Sequence, residues 1–175
     1  VLSKGIALYG RSQQKNPYRT QFVTSLVIYF LGDLSAQNIS GEKYNPVRTG
    51  RALVISAFSS IPSYKWFMFL NDHFNYPSKI LSLATKVIVN QIIFAPIFNT
   101  YFFGMQSLLS GDSLPEVWER IRRTVPTSLI NSVKFWPAVT AFSFTFIEPQ
   151  YRSIFAGGVA IGWQTYLSYL NRTAE

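Results

Sequence analysis

The sequence has no cysteine, a single histidine and only eight acidic residues in 175, and each shortage removes a class of chemistry. Without Cys there are no disulfides, thiolate nucleophiles or Cys-ligated metals. The one imidazole, His73, sits in the polar connection NDHFNYPSK and has no sequence partners for a metal site. No GxSxG, no Gly-rich phosphate loop followed by Lys and no paired-His motif occurs. Nothing sets a second carboxylate beside Asp33 for acid–base work. The expectation is a protein that is not an enzyme and holds no cofactor or metal. Charge is scarce too, at 14% of residues, against about 25% in a typical soluble domain.

What is present is 48% hydrophobic and 17% aromatic residues, gathered into runs. The most telling run is VIVNQIIFAPIFNTYFFGMQSLLSG, residues 87–111, which has no Asp, Glu, Lys, Arg or His. A helix needs about 20 mostly apolar residues to cross a hydrocarbon core about 30 Å thick. Asn90, Gln91, Asn99 and Gln106 interrupt this one, so one face should meet protein or water instead of lipid. The mean hydropathy of +0.14 averages such segments with polar, basic connections.

Five apolar segments predict one all-α membrane domain over 1–175: a bundle of four to five kinked transmembrane helices and a short interfacial helix. The spans fall near 18–38, 50–70, 86–109, 127–147 and 153–170. In the first, Gly32 and Ala36 form a small-xxx-small pair, and Asp33 and Gln37 share a face. Pro62, Pro96 and Pro137 supply bends, and hydroxyls such as Ser59 can repair the lost hydrogen bond. Lys86 and Asn90 share one side of the third segment. Between 110 and 126, Ser113, Pro115 and Glu116 read as the start of an interfacial helix turning Leu114, Val117, Trp118 and Ile121 to the acyl boundary. Gly158 and Gly162 form a GxxxG pair, read as packing. Tyr18, Trp66, Tyr151 and Tyr169 fit an aromatic belt.

The net charge is +8. The bases lie between the apolar runs, which suits a bilayer with anionic headgroups better than nucleic acid. The first 21 residues carry four bases and no acid, without the apolar core of a secretory signal. Inside the apolar segments stand Asp33, Lys65, Lys86 and Lys134. Intramembrane charges face a bundle interior or an aqueous cavity, unless a Lys near a segment end snorkels. Three Lys against one or two carboxylates, Asp33 and Glu148 at a segment edge, would make such a cavity electropositive and favour anionic solutes. Asp33, Gln37, Lys65, Lys86, Asn90, Gln91 and Lys134 are therefore the candidate pore-lining or gating residues, in a homo-oligomer or a membrane protein complex.

GDLSAQ at 32–37, KVIVNQIIFAP from Lys86, and NSVKFWPAVTAFSFTFIEPQYRSIFAGGVAIGWQTYLS at 131–168 resemble the Mpv-seventeen and 22-kilodalton peroxisomal membrane protein family. The similarity spans nearly the whole chain. It implies a small integral protein of the mitochondrial inner membrane, alternatively of peroxisomes, that forms a channel or supports metabolite balance. The alternative to a channel is a non-conducting scaffold or assembly factor. The family's positions correspond to Gly32 and Asp33, Trp136 and Pro137, Pro149 and Arg152, and Trp163. Two departures stand out: Tyr64 where the family commonly has His, in a segment that keeps Pro62 and Trp66 but has Phe67 for Tyr, and Asn90 where it commonly has Asp.

Overall fold

The computed structural model describes residues 1–173, with the side chains of α7 described as far as Trp163. Tyr169 of the expected aromatic belt lies outside the described side chains. Among the described residues every regular element is helical. The order is α1 (Leu2–Lys15), α2 (Pro17–Ser40), α3 (Pro46–Asp72), α4 (Lys79–Val89), a π turn (Asn90–Phe94), α5 (Ala95–Leu109), α6 (Leu114–Phe146), a 3-10 turn (Pro149–Tyr151) and α7 (Arg152–Thr173). α2, α3 and the rod Lys79–Leu109 are each long and apolar enough to cross a membrane.

Local chemistry sets the boundaries. Pro17 and Pro46 stand at first helical positions, where a missing N–H costs nothing. α2 ends at Gly41, whose φ of 70° is the left-handed cap that glycine adopts without penalty. Ser78 Oγ accepts the Leu81 N–H at 3.3 Å to start α4. Ser113 and Glu116 make a reciprocal capping box at the head of α6.

α6 differs from the expectation. The amphipathic segment 114–126 is helical but not separate, because the helix continues unbroken from Leu114 to Phe146 with Pro126 and Pro137 inside it. A proline removes one hydrogen bond, and the neighbouring turns carry the helix across the gap. At 33 residues α6 is about 50 Å long.

The chain divides into two compact units, Val1–Met68 with Gln150 onward, and Phe69–Pro149. In the first, α2 packs on α7, and a Cβ on Gly32 would lie 2.2 Å from Ile161 Cγ2. That contact needs glycine for its closeness. α1 folds back on α2 about the Asn16 corner, with Ser12 Oγ 2.8 Å from Thr20 Oγ1. Ser59 Oγ donates to the Ser56 carbonyl at 3.3 Å in the turn before Pro62. In the second unit α6 runs antiparallel to the α4–π–α5 rod. Ile121 meets Gly104, Ser128 meets Asn99 and Ser132 meets Gln91.

Candidate functional site

In the first unit Asp33 is the centre of a closed polar clamp. Its Oδ2 accepts from Gln37 Nε2 at 2.7 Å and Thr49 Oγ1 at 2.6 Å, and its Oδ1 lies 3.1 Å from Arg48 Nε. Gln37 Oε1 accepts the Asn45 N–H at 2.6 Å, while its Nε2 donates to the Asn45 carbonyl at 3.0 Å. Asn45 Oδ1 in turn accepts from the N–H groups of Val47 and Arg48 and caps α3. The Asp33 side chain is 7% exposed and that of Arg48 42%. A buried carboxylate with a guanidinium and two donors is well satisfied. The expected Asp33–Gln37 face exists, and it fastens α2 to the start of α3. Arg48, Thr49 and Asn45 went unmarked in the sequence because their roles depend on the turn between the helices.

A second polar cluster joins α1, α2, α3 and the 3-10 turn before α7. Gln21, fully buried, donates through Nε2 to Gln13 Oε1 at 2.9 Å, to the Gln150 carbonyl at 2.7 Å and to Tyr9 Oη at 3.4 Å. Gln13 Nε2 donates to Tyr64 Oη at 3.2 Å. The phenol at the position where the family commonly has His therefore accepts a hydrogen bond inside the protein. The Tyr9 and Tyr151 rings meet at a tilt of 41° with centroids 5.2 Å apart, and burial pushes the Tyr9 phenol above its ordinary pKa. Lys65 is exposed, with its ammonium 5.5 Å from the Tyr18 ring centre.

In the second unit the remaining candidates form a polar seam. Asn90 Nδ2 donates to Thr140 Oγ1 at 3.4 Å, Gln91 Nε2 to Ser132 Oγ at 3.1 Å, and Ser128 Oγ to Asn99 Oδ1 at 2.6 Å. Buried Ser143 continues the same face of α6, and its hydroxyl has no hydrogen-bond partner among the described residues. Lys86 is buried beside it, donating to Asn75 Oδ1 at 2.8 Å and lying 5.9 Å from the Phe144 ring centre. The π turn begins at Asn90, and the Ala95 N–H reaches back five residues to the Asn90 carbonyl. Pro96 explains it: a proline ring clashes with the carbonyl four residues earlier, and the wider turn relieves this. Ser128, Ser132, Thr140 and Ser143 recur at spacings of four, eight and three, which keeps them on one helical face and is a signal that could have marked it in advance. Lys134 is not on it. Its side chain is exposed on the opposite side of α6. Gly158 and Gly162 are also exposed, with no described side chain within 4 Å of where a Cβ would stand on either.

The chain matches other proteins over nearly its full length. A family model described as "Mpv17 / PMP22 family" matches residues 107–168, which include Trp136, Pro137, Pro149, Arg152 and Trp163. Protein SYM1 of Gibberella zeae is 34% identical over 97% of this chain and 99% of its own length. The chain belongs to the Mpv17 / PMP22 family. Protein SYM1 of Saccharomyces cerevisiae is 30% identical over 96% of this chain and 90% of its own length. PXMP2/4 family protein 1 of Dictyostelium discoideum is 30% identical over 91% and 81%. No solved structure matches. Membership makes this an organelle membrane protein set in a lipid bilayer, and the family names fit a mitochondrial or a peroxisomal membrane alike.

Proposed function

We propose that this member of the Mpv17 / PMP22 family forms a narrow path for small solutes across an organelle membrane, first the mitochondrial inner membrane and alternatively the peroxisomal one. It performs no catalysis and works as a homo-oligomer in a leaflet rich in anionic lipid. The observation that carries the reading is the seam of Asn90, Gln91, Ser132, Thr140 and Ser143, a run of polar side chains placed beside a membrane-length rod. Polar groups at that depth are costly unless they meet protein or water, and they mark solute pathways. The π turn gives the rod a place to change register.

The scaffold reading keeps one specific support, since Asp33 is bound into its own loop by three side chains and presents nothing to a pore. Efflux of small solutes from proteoliposomes of the purified chain separates the two. A channel releases solute, and Asn90→Leu or Thr140→Val alters the rate. No release at any voltage or pH favours the scaffold.

A further inference from the structure

The short connection between α3 and α4, residues 73–78, is tied down at both ends. Lys86 makes the first tie. It is 9% exposed, and its ammonium donates to Asn75 Oδ1 at 2.8 Å and lies 3.4 Å from the Asn71 carbonyl. That carbonyl belongs to the last turn of α3, which ends at Asp72, so the helix itself leaves it unbonded and partly negative. Asn75 Nδ2 donates to the same oxygen at 3.1 Å. At the other end Ser82 Oγ accepts the Tyr76 N–H at 2.7 Å and lies 3.3 Å from the Tyr76 carbonyl.

Between the ties the backbone is strained. Phe74 has a φ of 60°, the left-handed conformation, just past a helix end where glycine or asparagine ordinarily stands. A bulky residue keeps that conformation only where its surroundings impose it. Here they do: the Phe74 ring meets Phe69 edge-on with centroids 6.3 Å apart, and the ties hold the chain on either side.

Lys86 also stands at one end of the polar seam. Asn90 follows it one turn along the rod on the same side, and Thr140, to which Asn90 donates, lies one turn before Ser143 and Phe144 on α6. The ammonium is 5.9 Å from the Phe144 ring centre. Lys86 therefore comes between the connection and Ser143, which is buried with no partner for its hydroxyl among the described residues. Because α3 and the rod are both of membrane length, the connection between them falls at the membrane surface.

We propose that residues 73–78 are a strap that shuts this end of the seam from water, with Lys86 as its latch and the strain at Phe74 set against it. Losing the Lys86 contacts lets Phe74 relax, and the strap lifts from Ser143. The proposal rests on the channel reading only for what then passes through the seam, not for the closing of its end.

The chain has no Cys, so Ser143→Cys, which removes no side-chain hydrogen bond, marks the inner side of the latch. Gln14→Cys on exposed α1 is the reference. In nanodiscs, where both membrane surfaces are open to reagent, a membrane-impermeant methanethiosulfonate should label Ser143→Cys far more slowly than Gln14→Cys. Adding Lys86→Met, which keeps the stem and deletes the ammonium, should speed labelling at 143 about tenfold. Asn75→Ala cuts the same latch from an exposed position, and repeats the reading if circular dichroism shows Lys86→Met unfolded. Phe74→Asn takes the left-handed conformation with less strain, so in the Lys86→Met background it should slow labelling several-fold. A general loosening is told apart by the disulfide between Asn99→Cys and Ser128→Cys, which should form equally well with and without the latch. Labelling at 143 as fast as at 14, a rate that Lys86→Met and Asn75→Ala leave unchanged, or a faster rate with loss of the 99–128 disulfide overturns the proposal. Solute efflux with labelling that ignores the latch would sink the strap and leave the channel reading; labelling as expected with no efflux from any variant would do the reverse.

Discussion

Asp33 and Gly32 are adjacent residues doing different jobs, and each can be tested alone. Asp33→Ala removes the acceptor shared by Gln37 and Thr49 and the partner of Arg48. Donors left buried without a partner cost about 1–3 kcal/mol, so the variant should lose about 2 kcal/mol in all. Arg48→Ala should lose less than half of that, since the guanidinium is partly in solvent and an exposed ion pair is worth about 0–1 kcal/mol. Thermal unfolding in detergent measures both, and equal losses would contradict the geometry. At Gly32 the effect is steric. Gly32→Val drives a side chain into Ile161, an overpacking that costs about 1–3 kcal/mol. Because the clash has one named partner, Ile161→Ala should recover most of the loss, and a double-mutant cycle would show the coupling.

At the scale of the element, the rod from Lys79 to Leu109 is held in register by Pro96. Without its ring the strain that widens the turn at Asn90 disappears, and Pro96→Ala should let the segment close into plain α-helix. Removing the extra residue of a π turn rotates everything before it by about 100° relative to everything after it. Asn90 would then turn away from Thr140 while Asn99 kept its place against Ser128. Paired cysteines report this: cross-linking between positions 90 and 140 should fall several-fold in Pro96→Ala, and that between 99 and 128 should hold. The same elements show what a sequence can tell. The apolar segments and the Ser113 cap with Glu116 in the next turn are local patterns that fall within α2, α3, the rod and the start of α6, while α3 begins at Pro46 and the rod at Lys79, ahead of the expected 50 and 86, because their first turns are polar and basic. Pro126 reads locally as a stop and is none, because its neighbours supply the remaining hydrogen bonds of a long helix. The Asp33–Gln37 face was legible as a periodicity, whereas Arg48 and Thr49 closing on it depends on how the turn at residues 41–45 folds. Lys134 was legible as a charge in an apolar run. Which side of α6 it takes depends on the register with Gln91 and Asn90, which no single segment contains.

For the whole molecule the balance of charge matters more than any one group. Lys4, Arg11 and Lys15 fall on one side of α1, at spacings of seven and four, while Tyr9 and Gln13 on the other side hold it against Gln21 and Tyr64. All three bases are exposed. α1 is also joined through Asn16 to the first turn of a membrane-length helix, which sets its bases beside a headgroup layer, where anionic lipid would attract them. Near an anionic leaflet each base contributes about 1 kcal/mol, and the attraction fades beyond a Debye length of about 8 Å at physiological salt. Replacing the three with Gln should therefore cost about 3 kcal/mol of α1 attachment in vesicles with anionic lipid at low salt, and almost nothing in vesicles of zwitterionic lipid. A fluorophore on Ile6→Cys, quenched by brominated anionic lipid, reads it. Quenching should drop in the triple variant and in high salt, whereas quenching indifferent to both would mean that the Tyr9, Gln13 and Gln21 contacts alone hold the helix in place.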